Sequence, residues 1–212
     1  MRTGFFLLIL SFYSSAAWGQ DAFEWVFLNH RPEKEELPQG QIDSLMQLHF
    51  ANMGTLAKAG HLLAAGPFYE QGGIFVFSTP KEMTDSLVRT DPAVQADRWR
   101  VEQFNWRPSV GSICPQPEGT EMTTYSFLRF SPTGMAWTEA QFQEQIGYLS
   151  DLEVKYVTLG FYDQGSEGML LIYADDPKEE LGVNAPAVKQ GWYTPDLQQL
   201  YIAKGTFCEV IP

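Results

Sequence analysis

Apolar positions along the chain change their spacing several times, and each change marks an element. Phe23-Glu-Trp-Val-Phe-Leu-Asn-His30 is aromatic and β-branched, which predicts a strand. Ile42, Leu45, Met46, Leu48, Met53, Leu56 and Ala57 recur mostly at three- and four-residue spacing, which predicts a long helix. Gly60 stops it. His61-Leu-Leu-Ala-Ala65 and Gly73-Ile-Phe-Val-Phe77 read as strands joined by a turn around Gly66, Pro67 and Gly72. Lys81 to Arg89 is a second helix. Asp91-Pro92 opens a short helical turn, with Asp as cap and Pro at the first helical position. Arg98 to Trp106 closes the series as a strand.

The segment from Gly111 to Thr120 is rich in Pro, Gly and polar residues and reads as a linker. Beyond it the pattern returns. Thr123 to Phe130 is a strand, Thr138 to Leu152 a helix, and Lys155 to Leu159 and Met169 to Tyr173 are strands. Broken helix follows over Pro177 to Gln190, then a strand within Leu197 to Phe207. Three local matches support a repeat: Asn52–Leu56 with Gln145–Leu149, Gly66–Phe77 with Gly160–Ile172, and Pro92–Val94 with Pro186–Val188. Each half has the order βαββαβ, the split-βαβ arrangement of ferredoxin-like folds. The expectation is an α+β protein of tandem ferredoxin-like domains, residues 20–110 and 121–212 joined by 111–120. Their open faces would pair inside one chain as a dimeric α+β barrel, a pseudo-dimer that is monomeric as a molecule.

The first twenty residues change the picture of where this happens. Arg2 precedes an apolar run from Phe5 to Phe12, and small residues end at Ala17-Trp18-Gly19. That is the pattern of a secretory signal peptide over 1–19, which implies a periplasmic or secreted protein with no membrane contact once the signal is removed. The alternative is a retained membrane anchor. Export makes a disulfide between Cys114 and Cys208 feasible; the other reading is two free thiols.

Charge narrows the partners. Among 212 residues, 14 Lys and Arg against 26 Asp and Glu give a net charge of −12, so nucleic acid is excluded as a natural partner. Two cysteines are too few for a cysteine-rich zinc site, and no phosphate-cradling loop, nucleophile elbow or His-Glu-x-x-His motif occurs. No metal or organic cofactor is implied. A small-molecule ligand remains.

There are only three histidines. His49 lies on the first helix and Asp91 begins the short helical turn. A histidine held by a carboxylate is a standard acid–base unit, because the carboxylate orients the ring. The plainer reading is a core histidine and an ordinary helix cap. Asn52, three residues after His49, shares its helix face and is a candidate substrate contact. His30 at the end of the first strand and Glu102 on the last strand are candidates for the same cavity. In the second half Phe142 aligns with His49 and Ala185 with Asp91, so both polar residues are missing together. Either the two act as a unit, or two unrelated positions drifted.

Several runs together resemble the YCII-related domain family: Leu48-His49 through Gly66-Pro67-Phe68, Gly73 to Phe77, Thr90-Asp91-Pro92-Ala93-Val94-Gln95-Ala96, and Arg100 to Trp106. The resemblance covers residues 23–107 and is weak beyond them. It implies a ferredoxin-like fold of the dimeric α+β barrel type and a pocket holding a His and an Asp, here His49 and Asp91. A few related proteins act as lyases on chlorinated or hydroxylated aromatic rings. Where many members have Gly-Arg-Leu after the turn, this chain has Asp97-Arg98-Trp99. The resulting expectation is an acid–base catalyst of the lyase or isomerase type acting on a small organic, aromatic molecule. The alternative is a binding module of the cell envelope without turnover.

Overall fold

The computed structural model describes residues 22–70, 72–135, 138–151, 156–162, 169–173 and 180–208. The expected signal peptide, 1–19, lies outside the described residues. No described helix is long and apolar enough to cross a membrane.

The first half contains β1 (Phe23–His30), α1 (Gln39–Lys58), β2 (Leu62–Pro67), β3 (Gly73–Phe77), α2 (Lys81–Val88), α3 (Pro92–Gln95) and β4 (Trp99–Val110). A short strand β5 (Ser112–Ile113) falls inside the segment read as a linker. The second half contains β6 (Met122–Pro132), α4 (Glu139–Ser150), β7 (Tyr156–Tyr162), β8 (Met169–Tyr173), α5 (Glu180–Val183), α6 (Pro186–Lys189), β9 (Tyr193–Ala203) and β10 (Phe207–Cys208).

Eight strands form one antiparallel sheet in the order β2-β3-β1-β4-β7-β8-β6-β9, and β5 pairs with β10 in a separate ribbon. This corrects the expectation of two ferredoxin-like domains closed as a barrel. The halves are joined edge to edge in a single sheet. β4 runs on past Trp106, so Trp106 pairs with Tyr162, Arg107 with Phe161, Pro108 with Gly160 and Val110 with Leu159. The sheet is not closed into a barrel. Its outer strands, β2 and β9, meet at one isolated bridge between Phe68 and Leu200, with Tyr69 N–H donating to Gln199 O at 3.0 Å. No ladder joins them. β2 is six residues long and ends at Pro67, which has no N–H to continue one. Gly66 permits the approach: a Cβ there would lie 2.5 Å from the Tyr201 carbonyl oxygen.

Strand alternation decides what goes where. On β1, Phe23, Trp25 and Phe27 face the inside of the curled sheet, while Val26 and Leu28 face the helices; all are buried. The inner cluster draws on both halves: Trp25, Phe27 and Trp106 pack with Phe127, Tyr162 and Leu200. Trp25 and Trp106 ring centroids lie 5.3 Å apart, and Trp25 and Phe127 5.9 Å. Outside the sheet, Leu56 and Val88 cover the first half, and Leu149, Ala185 and Ala187 the second.

Cys114 and Cys208 are joined by a disulfide with a Cα–Cα distance of 5.9 Å and a sequence separation of 94. It ties the β5–β10 ribbon shut beneath the inner core, where Ile113 and Phe207 contribute to the aromatic cluster. Reducing it in the intact protein should lower stability by about 4–5 kcal/mol on loop-closure grounds. Denaturant unfolding with and without reductant measures this. Coincident curves would mean that the bond adds nothing.

Candidate functional site

His49 is placed by α1. Most of that helix is exposed, and His49 and Leu56 are its buried residues. The His49 ring lies almost parallel to the Phe75 ring of β3, 5.8 Å between centroids, and contacts Phe50 at 5.5 Å.

Asp91 is placed by the start of α3. It is the N-cap, fully buried, and Oδ1 accepts from Ala93 N–H at 2.8 Å and Val94 N–H at 3.2 Å. Its other oxygen, Oδ2, lies 2.7 Å from His49 Nδ1. One carboxylate therefore caps a helix and holds a histidine. A carboxylate only accepts, so Nδ1 carries the proton and the neutral ring keeps its lone pair on Nε2. Nε2 makes no hydrogen bond among the described residues.

The end of α3 fixes the neighbouring chain. Asp97 N–H donates to Val94 O and Arg98 N–H to Ala93 O, each at 3.0 Å, with Asp97 at φ 57°. This is a Schellman turn, whose left-handed position ordinarily takes glycine. Gly191, at φ 76°, fills it in the second half. An ion pair from Asp97 to Arg31 holds the turn in place. Trp99 follows at the start of β4 and enters the pocket wall.

That pocket has a volume of about 310 Å³ and lies between α1 and the sheet. Met46, Phe50 and Met53 form the helix side; Leu28, Ile74 and Phe75 form the sheet side. Ala65, Gly66, Pro67 and Gly73 are also part of the described wall. His49 is the only ionisable side chain among its described lining residues. Among the described residues, no three His, Cys, Asp or Glu side chains cluster in a way that would hold a metal ion.

The other candidates separate. Asn52 Nδ2 donates to Thr90 Oγ1 at 2.9 Å and to Thr90 O at 3.3 Å, and Asn52 is not in the pocket wall. It braces the segment carrying Asp91 and is not placed as a substrate contact. His30 is exposed at the end of β1, opposite Trp99. Glu102 lies in a different cavity, bonded to Arg129. β4 alternates, so Glu102 shares the inner face with Phe104 and Trp106, away from α1.

Sequence comparison missed Gln145. It is matched to Asn52, but its side chain is one methylene longer. It is fully buried on α4, and Oε1 accepts from Ala187 N–H at 3.1 Å. Ala187 matches Ala93, whose N–H goes to Asp91 in the first half. A carboxamide on the helix thus replaces the missing cap carboxylate, and no proton-transfer pair remains. The match of Gln145 to Asn52 in the repeat was the available signal.

No protein-family model matches the chain. The description as YCII-related expected from the sequence therefore has no family model behind it. No curated protein matches either. Among solved structures, a protein of Fusobacterium nucleatum subsp. nucleatum described as a candidate monooxygenase aligns at 8% identity. The alignment covers 90% of this chain and 97% of that one, with a TM-score of 0.45. At that level the likeness carries no argument about fold or chemistry. What remains is a buried His49–Asp91 pair in an α+β fold.

Asp91→Asn should keep the cap through the amide oxygen but present an N–H to His49 Nδ1. The ring then moves its proton to Nε2. Long-range ¹H–¹⁵N correlation spectra read this directly, as an exchange of the two ring nitrogens' shifts. An unchanged tautomer would show that Asp91 does not govern the ring. Asp91→Ala should cost about 3 kcal/mol in unfolding measurements, from a lost cap and an unpaired buried donor.

Proposed function

We propose that the pocket beneath α1 performs acid–base chemistry on a small, largely apolar organic molecule. The reaction type is a proton transfer of the lyase or isomerase kind. His49 Nε2 takes a proton from the substrate and later returns one. Asp91 keeps the ring in the reactive tautomer and stabilises the imidazolium that forms. Asn52 acts as a positioning residue through Thr90. The observation that carries this reading is the 2.7 Å contact between buried His49 and Asp91, in a pocket whose other described walls are uncharged. Phe50, Phe75 and Trp99 in those walls suit a flat or aromatic skeleton. The Cys114–Cys208 bond supports folding in an oxidising compartment.

A second reading is a binding module that uses the same pocket without turnover. One observation favours it: the described lining offers a single ionisable group. Acid–base enzymes commonly use two.

Exchange of the α-protons of 2-indanone in D₂O, followed by NMR, separates the readings. Catalysis predicts accelerated exchange with the intact protein and none above background with His49→Ala. Asp91→Asn should lose a factor on the order of 10³–10⁴. Saturable 2-indanone binding without accelerated exchange would replace the enzyme reading with the binding one.

A further inference from the structure

A second cavity, of about 540 Å³, opens where β1 and β6 end and β4 begins. It is built from both halves of the chain and lies on the inner side of the sheet, away from α1. Its chemistry is the reverse of the first pocket. Arg129 has a side chain only 14% exposed. Its guanidinium lies 4.1 Å from the Phe27 ring centre and 5.1 Å from that of Phe104. A planar cation packed against two rings has little freedom to turn away.

Glu102 Oε2 accepts from Arg129 Nη1 and Nη2, each at 3.2 Å, and Glu102 Oε1 lies 3.9 Å from Arg100 Nη2. One carboxylate thus serves two guanidinium groups, leaving a surplus positive charge in a chain whose net charge is −12. The cavity is also short of acceptors. Arg129 Nε and Asn29 Nδ2 are both buried donors with no partner among the described residues. A buried donor left unpaired is costly, so both call for an acceptor. Behind them stands Tyr162, whose ring is 5.1 Å from Phe104. Burial raises the Tyr162 phenol far above its ordinary range, so it adds no negative charge. Phe104 and Pro132 supply an apolar wall.

We infer that this cavity is a binding site for a small organic carboxylate. The carboxylate supplies acceptors to Arg100, Asn29 and the buried edge of Arg129, while the organic part rests on Phe104 and Pro132. One surplus charge suits a monocarboxylate better than a phosphate ester. The site is independent of His49.

Calorimetric titration of the full-length protein with benzoate tests this, with benzamide as the uncharged control. Benzoate should bind saturably to wild type and equally to His49→Ala, and benzamide should not bind. Arg100 is 70% exposed, so Arg100→Ala should fold normally and weaken benzoate roughly tenfold. Asn29→Ala should weaken it in the same direction. Absence of saturable benzoate binding overturns the inference. So does equal affinity in Arg100→Ala. Binding lost in His49→Ala but kept in Arg100→Ala would assign the ligand to the other pocket and overturn the inference, while leaving the acid–base reading intact.

Discussion

A strand that is apolar on both faces cannot lie at a protein surface, and β1 is such a strand. Val26 and Leu28 on one face and Trp25 and Phe27 on the other are all buried. Helices cover the first face. The second face has no helix to cover it, so the sheet curls over on itself and the two halves share one aromatic core. The β4–β7 seam, the near contact of β2 with β9 and the disulfide-tied ribbon all follow from that need. Separate halves would leave Trp25 and Phe127, now 5.9 Å apart, facing water.

The same arrangement sorts the polar groups into two places with opposite character. Outside the sheet, α1 stands off from β2 and β3, and the gap is lined by apolar groups around a single imidazole. Inside, at the end of the shared core, charged residues from β4 and β6 meet because their strands terminate at the same edge. Glu102 and His49 come from the same half of the chain, yet the pleat of β4 sends Glu102 to the inner face. Chemistry that would be mixed in one pocket is kept apart by the two-residue period of a strand.

Asp91 shows how a structural residue acquires a second use. Its Oδ1 does what any cap does for α3. Capping holds the carboxylate rigid and buried, and that fixed position leaves Oδ2 available to His49. In the second half the cap comes from Gln145 on α4, so Ala185 needs no carboxylate and the matching turn survives without the pair. A cap can be supplied from either side of the contact, whereas an ordered imidazole needs the acceptor on one side and the ring on the other.

Local signals in the sequence were enough for most elements. Hydrophobic spacing located β1, α1 and β3, and Asp91-Pro92 announced the cap of α3, because these depend on contacts between near neighbours in the chain. The pairing of His49 with Asp91 was legible as a hypothesis, because repeat comparison showed both residues missing together. Partition of Asn52, Glu102 and His30 was not legible. It depends on which strand face each element presents and on what lies across from it. Local patterning was enough for the order of the main strands and helices, without β5 and β10, and for the two residues able to form an acid–base unit. Long-range contacts set the rest: the halves share one open sheet, Glu102 faces Arg129 and not His49, and Asn52 braces Thr90. Those outcomes are set by contacts between residues far apart in the chain, and no local period encodes which edges meet.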